Sequence, residues 1–356
     1  MRKAAIITLY NNTNTGNKLQ NYAVQDVLKN YFELVETLTY SESSLDSLGI
    51  GWKGKIVLAF GFPPSIAKEK KAIVERKRRF KAFSQKHLHV KDDMSFQDYT
   101  KAFSNHYDAF ITGSDQVWHN WTNSKAELDY FFLRFADREK RICLSPSFGY
   151  EEIPSEFKAQ YISGLNGFLQ LSCREQSGCK IIKDLTGKDA ERLIDPTMML
   201  SVEKWKCIEK KPHYEVPKHF ILAYCLGGMT DKNRKELLGL SKSMKIPVID
   251  IFNLKYPEYY STSPDEFLYL VDRCDLVYTN SFHGCAFSIL YHKPLKVFDR
   301  NDNSGKQMTG RLSTLFDLFQ GRIDDYDYVD TVLEAERLKM KNYLEKCMVQ
   351  IKQGKK

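Results

Sequence analysis

Short apolar runs alternate with longer amphipathic segments along this chain. The run "KAAIITLY" at 3–10 predicts a buried strand, "NNTNTG" a loop, and "NKLQNYAVQDVLKNYF" at 17–32 a helix with one apolar face. A second series begins with the strand pattern "FILAYCLGG" at 220–228. Its helix "SPDEFLYLVDR" has Ser263 as the expected N-cap and Glu266 three residues later, which predicts a capping box. Because strands and helices alternate in both series, the sequence predicts an α/β fold.

A proline-containing stretch separates the two series. The short strand predicted at 192–197 ends at Asp195 and Pro196, and we expect Asp195 to act as a cap or turn residue. At 356 residues the chain is also longer than most single hydrophobic cores. We therefore predict an N-terminal α/β domain at 1–200, a C-terminal α/β domain at 201–325, and a closing helix and tail at 326–356.

One strand-to-helix turn in the second series contains a histidine. The stretch "DLVYTNSFHGCAFSIL" at 275–290 predicts a strand, a turn at 281–284 and a helix. Such turns line the ligand crevice of open α/β sheets, and the unpaired N–H groups of a helix N-terminus favour an anion. Gly284 would let the backbone approach that ligand. The alternative is that His283 is an ordinary packed histidine.

Other polar residues stand where predicted strands end. Asp115 follows a strand within 107–118, and Arg174 follows one within 168–185. Lys306 and Arg311 fall in a Gly/Ser/Asn-rich loop that leads into another helix, so two cations there could hold a phosphate and a carboxylate. Each residue also has a purely structural interpretation: an Asx turn for Asp115, a solvent-facing loop position for Lys306, and a hydrogen bond to a C-terminal backbone carbonyl for Arg311.

Composition and charge narrow the classes of function. Of the net charge of +8, most comes from residues 68–86, which hold nine Lys or Arg against two Glu. A solvated helix face is the first interpretation and contact with an anionic membrane the second, and we expect no nucleic-acid partner. The eight cysteines show no metal-ligand spacing, which favours reduced thiols, a cytoplasmic location and no metal. The longest apolar stretch, at 56–67, is too short to span a bilayer.

Six segments together resemble the polysaccharide pyruvyl transferases. They occur in the order typical of that family and span most of the chain: "GNKLQNYAVQ" (16–25), "ITGSDQVW" (111–118), "SCREQSGCKII" (172–182), "IDPTMML" (194–200), "SFHGCAFSIL" (281–290) and "GRLSTLF" (310–316). The resemblance implies two Rossmann-like domains that face a cleft, similar to the glycosyltransferase B architecture. It also implies an enzyme that transfers pyruvate from phosphoenolpyruvate to a sugar, as a ketal.

The implied chemistry assigns roles to the candidate residues. C3 of the enol gains a proton, a sugar hydroxyl attacks C2, phosphate departs, and a second hydroxyl closes the ring. His283 would supply the proton or hold the phosphate, and Asp115 would accept the hydroxyl proton. Phosphoenolpyruvate is a substrate, and no metal or cofactor is expected. The residues expected to bind it are Arg174, Ser281, Gly284, Lys306 and Arg311.

Ser281 departs from the pattern of better-known relatives, which carry an arginine at that position. Either Lys306 and Arg311 provide the missing charge, or the donor is a different molecule. Two alternatives to the transferase therefore remain. One is a glycosyltransferase of the same architecture that uses a nucleotide sugar, and the other is a non-catalytic glycan-binding relative.

The N-terminal half supplies the expected acceptor side. Amides and aromatic rings suit sugar hydroxyls and ring faces, although core packing explains the aromatic residues equally well. The residues expected to contact the acceptor are Asn14, Asn17, Gln20, Asn21, Ser114, Gln116 and Trp118. If that acceptor is a lipid-linked glycan, segment 68–86 would touch an anionic membrane peripherally. No oligomeric state is predicted.

Overall fold

A parallel five-stranded sheet forms the core of the N-terminal half. The structure is a computed structural model, and it describes residues 2–10, 13–40, 64–94, 99–121, 125–298 and 305–354. The strands pair in the order β3-β2-β1-β4-β5, and every ladder is parallel. Their bounds are β1 Lys3–Ile7, β2 Leu34–Tyr40, β3 Val90–Met94, β4 Ala109–Thr112 and β5 Arg141–Cys143. Apolar side chains of β1 and β4 are buried, as expected of a parallel sheet covered on both faces.

A second parallel sheet forms the core of the C-terminal half. Its order is β11-β10-β8-β9, and a two-stranded parallel pair, β6-β7, lies between the two sheets in sequence. The bounds are β6 Ser172–Cys173, β7 Glu191–Arg192, β8 Ile221–Tyr224, β9 Val248–Asp250, β10 Leu276–Thr279 and β11 Leu295–Val297. The two sheets confirm the predicted α/β class with two Rossmann-like units.

Helices cover both sheets and connect them. They are α1 Thr15–Leu28, α2 Pro64–His87, α3 Lys125–Phe131, α4 Lys158–Leu165, α5 Gln176–Thr186, α6 Val202–Lys206, α7 Asp231–Met244, α8 Pro257–Tyr260, α9 Pro264–Arg273, α10 Phe282–Leu290, α11 Gly305–Leu318 and α12 Tyr326–Gln353. Short 3-10 helices span Ala102–His106, Arg138–Lys140, Ser155–Phe157 and Pro196–Met199. The predicted capping box is confirmed at α9, where the Ser263 amide donates to Glu266 Oε2 at 3.1 Å.

The last helix returns to the N-terminal half. Tyr343 of α12 donates its hydroxyl to the carbonyl of Cys143 at 2.8 Å, and Arg337 donates to the carbonyls of Met198 and Leu200. One apolar cluster contains side chains from both large sheets, so the two halves share a core. All strands of the first large sheet precede residue 200, and all strands of the second follow it. The division of the chain into three parts stays a prediction.

The topology brings two crevices together. In the first sheet, the chain runs from β1 to one side and later adds β4 on the other side, so a crevice opens at the carboxyl ends of β1 and β4. The second sheet has the same arrangement at β8 and β10. Gly16 in α1, just after β1, contacts the ring of His283, just after β10. The two crevices therefore face each other and form one cleft.

The prediction that Lys306 and Arg311 lie in a loop is wrong. Both residues lie in α11, which begins at Gly305, several residues earlier than the sequence pattern indicated. The helix is stabilised by its apolar face, on which Leu315 is buried against the main core. The Lys306 side chain lies outside the described residues.

Gly284 is required for the packing of α10 against the sheet, and its expected contact with a ligand stays a prediction. A Cβ at Gly284 would overlap Thr279 Oγ1 and lie 2.9 Å from Tyr224 Cδ1. Thr279 cannot move aside easily, because its hydroxyl donates to the Tyr224 carbonyl at 2.6 Å and accepts from the Ser281 amide at 3.0 Å. The absence of a side chain lets α10 lie directly against β8 and β10.

We therefore expect Gly284→Ala to lower the free energy of unfolding by about 1–3 kcal/mol, the usual cost of overpacking a core. The matched control is Gly239→Ala in α7, where an added Cβ has no neighbour within 4 Å. That variant should be more stable than wild type by roughly 0.5–1 kcal/mol, because alanine loses less backbone entropy in a helix. Denaturant unfolding measures both. Equal stability of the two variants would contradict the packing argument.

Candidate active site

Four charged or titratable side chains meet in the cleft. Asp115 follows β4, Arg174 follows β6, Asp195 lies three residues after β7, and His283 lies in the first turn of α10. All four are buried. Because each follows the carboxyl end of a parallel strand, residues from four separate segments converge at one edge of the fold.

A buried ion pair lies at the centre of this group. Arg174 donates from its NH1 group to Asp195 Oδ2 at 2.6 Å, and its NH2 group lies 3.9 Å from Asp115 Oδ1. The guanidinium also stacks on the ring of Phe282, 4.2 Å from the ring centre. Asp195 Oδ2 accepts a further hydrogen bond from Ser114 Oγ at 2.8 Å. The pair therefore ties together the segments that follow β4, β6 and β7.

The Asp195 carboxyl stays ionised despite its burial. Burial alone raises its pKa, but the charges of His283 and Arg174 and the hydrogen bond from the Thr197 amide lower the pKa to about 2. His283 is protonated in the acidic range where this carboxyl titrates, so its charge acts together with that of Arg174. Asp195 is thus a fixed negative charge next to the histidine.

His283 lies between the two halves of the protein. Its Nε2 is 3.8 Å from Asp195 Oδ2, and on its other side a Cβ at Gly16 would overlap Nδ1. Burial lowers the pKa of His283 below its usual 6.5, and the positive charges of Arg174 and Arg311 add to this, whereas Asp195 and Asp115 act in the opposite direction. An anionic ligand beside the ring would raise this pKa again and favour the protonated form.

Asp115 occupies a backbone conformation that few residues adopt. Its φ is +77°, a region that Asp tolerates better than most side chains. Oδ1 accepts from the Gln116 amide at 2.9 Å, and Oδ2 accepts from the side chain of Asn17 in α1. These contacts fix the carboxylate where the loops after β1 and β4 meet.

Several buried polar atoms of the cleft make no hydrogen bond within the described residues. They include Nε and NH2 of Arg174 and Nε2 of His283. A buried donor without an acceptor costs about 1–3 kcal/mol, so atoms of this kind indicate where a polar ligand binds. The cleft thus offers directed N–H donors beside a fixed carboxylate and a neutral imidazole.

The structure brings most of the predicted donor residues together. Arg311 is buried and lines the same cavity as Arg174, Asp195 and Phe282. Ser281 is the N-cap residue of α10 and is buried next to His283. Their roles stay predictions.

Part of the predicted acceptor set lies elsewhere. Trp118 is fully buried in an aromatic cluster and contacts Phe132 and Phe148, so it cannot stack on a sugar. Gln20 donates to Thr8 Oγ1 at 2.8 Å, beneath the first turn of α1. The segment after β4 passes the cleft at Asp115 and then turns into the hydrophobic core, which explains the position of Trp118.

The remaining acceptor candidates divide between the cleft edge and the interior. Asn14 is the N-cap of α1, where its side chain accepts from the Asn17 amide at 3.2 Å. Gln116 is partly exposed at the edge of the cleft. Asn21 is buried away from the cleft and accepts from Thr37 Oγ1 at 2.6 Å. Of the predicted acceptor residues, those in the first turn of α1 and in the loop after β4 therefore lie nearest the cleft edge.

Asp195 was missed as a site residue by sequence reasoning. The expected cap role is present, because its side chain accepts from the Thr197 amide at 3.0 Å. The same carboxylate also binds Arg174, a residue 21 positions earlier. The available signal was its place in "IDPTMML", one of the six segments that carry the family resemblance.

The solvated-face interpretation of segment 68–86 holds for only part of α2. Lys71, Lys81 and Lys86 are exposed. Arg79 turns inward and pairs with Glu266 of α9, and Arg76 is fully buried. The two arginines face the junction between the halves of the protein, because α2 packs there with its apolar face.

Comparison with known families places the chain among enzymes that act on polysaccharides. It belongs to the polysaccharide pyruvyl transferase family, whose model matches residues 14–302, most of the chain. No curated protein gives a significant sequence match. Among the described residues, no group of three or more His, Cys, Asp or Glu side chains could hold a metal ion. None of the helices in the described part of the chain is long and apolar enough to cross a membrane.

Solved structures with similar folds share little sequence with this chain. A UDP-GlcNAc 2-epimerase from Neisseria meningitidis is 10% identical with a TM-score of 0.45, covering 97% of this chain and 100% of its own. A glycosyltransferase from Rickettsia africae is 11% identical with a TM-score of 0.46, covering 99% of both chains. The wall teichoic acid polymerase TagF is 11% identical with a TM-score of 0.46, covering 99% and 89%. At this identity the likeness says nothing about a ligand of this chain.

The ion pair in the cleft leads to a stability prediction. Removing one partner of a buried pair typically costs about 3–5 kcal/mol, so we expect Asp195→Asn to lose roughly 3 kcal/mol of unfolding free energy. The control is Asp184→Asn, which removes the exposed pair with Lys180 and should cause no measurable loss.

The pH dependence follows from the low pKa of Asp195. A carboxyl whose folded pKa of about 2 lies below its unfolded value of about 3.9 stabilises the fold above pH 4. That stabilisation disappears as the pH falls towards 2. Thermal unfolding between pH 2 and 7 should show this loss in wild type and a smaller loss in Asp195→Asn. Parallel curves for the two proteins would contradict the assignment.

Proposed function

We propose that the protein transfers pyruvate from phosphoenolpyruvate to two hydroxyls of one sugar, forming a ketal and releasing phosphate. The observation that supports this most is the cleft itself, where Arg174, with two buried N–H groups unpartnered among the described residues, and His283 lie beside the same Asp195 carboxylate. Membership of the pyruvyl transferase family provides the reaction class. The donor and the ketal product are part of the proposal.

The proposed donor carries two anionic groups that need cations. Taking a phosphate and a carboxylate out of water is costly unless positive charge and hydrogen bonds compensate. Arg174 and Arg311 line one cavity and can bind an oxyanion with planar, two-pronged geometry. Lys306 stays a predicted third contact. This cationic wall favours phosphoenolpyruvate over a neutral donor.

His283 is proposed to protonate C3 of the enol. In the free protein the imidazole is mostly neutral, since burial lowers its pKa. Binding of the anionic donor raises that pKa, so the ring gains a proton as the donor enters. Transfer of this proton to C3 makes a methyl group and leaves positive charge at C2, next to the enol oxygen. The nearby carboxylates Asp195 and Asp115 stabilise the cationic species.

Asp115 is proposed to remove the proton from the attacking sugar hydroxyl. The hydroxyl oxygen bonds to C2 and its proton passes to Asp115, which gives a tetrahedral intermediate that carries the phosphate. Phosphate then leaves with the C–O bonding pair. The second hydroxyl attacks the same carbon, and its proton leaves with the phosphate. Asn17 and the Gln116 amide hold the Asp115 carboxylate in place for this step.

The proposed acceptor is a sugar of a cell-surface polysaccharide or of its lipid-linked precursor, modified on the cytoplasmic side of the membrane. It enters over the first turn of α1 and the loop after β4, where Asn14 and Gln116 are partly exposed. These side chains offer amide donors and acceptors for sugar hydroxyls.

The donor assay tests this function. Purified protein with a lipid-linked oligosaccharide and phosphoenolpyruvate should release phosphate, and His283→Ala should slow turnover by at least about a hundredfold, the usual scale for a positioned acid. The control is His219→Ala, whose side chain is exposed and hydrogen-bonded to Asp275, and which should keep wild-type turnover. Nucleotide release from a nucleotide sugar would favour a glycosyltransferase. Binding of the glycan with no released product would favour a non-catalytic relative.

A pH profile tests the acid role separately. The reactive form of free His283 is protonated and its pKa lies below 6.5, so kcat/KM for phosphoenolpyruvate should fall as the pH rises above that pKa. The residual activity of His283→Ala should lack this dependence. A wild-type profile that is flat from pH 5 to 8 would exclude His283 as the acid.

Membrane contact through α2 is a further part of this proposal. Exposed cations occur on its outer face, and a cavity of about 180 Å³ between α2 and α9 is lined by Arg78, Lys86 and Lys210. Each cation near an anionic surface adds on the order of 1 kcal/mol and is screened by salt. The surface therefore suits lipid phosphates.

We expect the protein to float with anionic vesicles at low salt and to dissociate as salt increases. Reversing two charges, Lys71→Glu with Lys81→Glu, should abolish flotation. The matched control reverses Lys232 and Lys235, both exposed on α7. If wild type fails to float even at low ionic strength, the basic face is simply solvated.

A further inference from the structure

Arg76 is a buried cation that no carboxylate neutralises among the described residues. It belongs to α2, yet only 1% of its surface is exposed. Nε donates to the Thr13 carbonyl at 3.0 Å, and NH1 donates to the carbonyls of Tyr260 at 2.7 Å and Ile251 at 3.5 Å. NH2 makes no hydrogen bond within the described residues. Burial lowers the pKa of this guanidinium to about 10, so it remains charged at neutral pH.

Such a charge is expensive to keep inside a protein. Neutral carbonyls and aromatic rings compensate it only in part, and the rings of Phe80 and Phe252 lie 4.6 and 4.9 Å from the guanidinium carbon. The neighbouring Arg78 shows the ordinary alternative, an exposed position paired with Glu75. The inward placement of Arg76 therefore leaves positive charge only partly compensated at the junction of the two halves, which favours an anion bound nearby.

The contacts of Arg76 lead directly to the active-site cleft. Thr13 precedes the first turn of α1, in which Gly16 contacts the ring of His283. Ile251 follows β9 and Tyr260 ends α8, both in the C-terminal half. One guanidinium thus holds the N-terminus of α1 against the second Rossmann-like unit, beside the histidine.

The positive charge of Arg76 also acts on Tyr224, which borders the cleft. Burial raises the pKa of Tyr224, whereas the positive charge of Arg76 and the neighbouring Thr15 and Ser281 act in the opposite direction. Arg76 and Tyr224 also contact the same ring: that of Phe252 lies 4.9 Å from the Arg76 guanidinium carbon, and its centre lies 5.2 Å from the centre of the Tyr224 ring. Tyr224 OH and Thr15 Oγ1 are both buried, and neither makes a hydrogen bond of ordinary geometry within the described residues.

These observations define an oxyanion cluster on the Nδ1 side of His283. It combines the N-termini of α1 and α10, the hydroxyls of Thr15, Tyr224 and Ser281, and the charge of Arg76 behind them. The cavity lined by Arg174 and Arg311 lies on the opposite, Nε2 side, where Asp195 is 3.8 Å from the ring. The imidazole therefore lies between the cavity on its Nε2 side and this cluster on its Nδ1 side.

We propose that Arg76 is a positioning residue that makes this cluster bind one anionic group of the donor. This rests on the proposed function, which supplies a donor with two anionic ends. Arg76 acts through Tyr224 and the first turn of α1 and does not itself contact the donor. The cluster binds a carboxylate or a phosphate by the same chemistry, and the experiment distinguishes these two ends.

The first measurement separates donor binding from turnover. Arg76→Met keeps much of the side-chain length and removes the charge, and we expect KM for phosphoenolpyruvate to rise at least about tenfold. KM for the acceptor and kcat should stay within about twofold. Arg76→Lys restores the charge and should recover part of the loss. Arg322→Met, which removes an exposed cation paired with Asp325, is the control and should behave as wild type.

A second variant keeps the test valid if Arg76→Met does not fold. Tyr224→Phe removes only the hydroxyl through which Arg76 acts, and KM for phosphoenolpyruvate should rise while the melting temperature stays close to that of wild type. The proposal is overturned if KM for the donor is unchanged in the Arg76 and Tyr224 variants. It is also overturned if KM for donor and acceptor rise together, as a purely structural role would require.

Two small probes identify the anionic end. Pyruvate carries the carboxylate alone and orthophosphate the phosphate alone, and calorimetry measures the affinity of each for wild type and Arg76→Met. The probe whose affinity falls about tenfold in Arg76→Met identifies the anionic group that the cluster binds. Unchanged affinity for both probes overturns the proposal. If wild type releases no phosphate from phosphoenolpyruvate, the proposed function fails. Loss of orthophosphate or pyruvate binding in Arg76→Met would still establish the anion cluster.

Discussion

The buried ion pair between Arg174 and Asp195 is the interaction on which the rest of the cleft depends. It joins the ends of two short strands and, through Ser114, the end of a third. Two opposite charges can be buried only with close geometry and further hydrogen bonds, and Asp195 has both. Because the carboxylate stays ionised, it fixes the electrostatic environment of His283. The same pair leaves two edges of the guanidinium available for a ligand.

The facing crevices bring side chains from both halves of the protein to one site. The N-terminal half contributes Asp115, Arg174 and Asp195, and the C-terminal half contributes His283 at the start of a helix. Neither half by itself brings the histidine, the two carboxylates and Arg174 together. Arg76 bridges both halves with one guanidinium, so the relative position of the two units is linked to charge beside the imidazole.

Local patterns predicted local structure well. The strand and helix around His283 and the capping box at Ser263 are present, although the helix begins at Phe282, within the predicted turn. Predictions that required knowledge of distant partners were less accurate. Trp118 was assigned to a sugar but is packed among aromatic rings, and Arg76 was assigned to a solvated face but is buried. Asp195 was expected to be a cap, and its contact with Arg174 was not foreseen.

The sequence by itself determined the α/β class, the two series of strands and helices, and the turns at which polar residues occur. These features follow from hydrophobic period, capping residues and backbone preferences, which act over a few positions along the chain. Only the tertiary structure decided which polar residues meet. Asp115 and Asn17 are 98 positions apart, and Arg76 and Tyr260 are 184 positions apart. Such contacts depend on how the two sheets pack against each other, and no local pattern in the chain encodes a contact between positions so far apart in sequence.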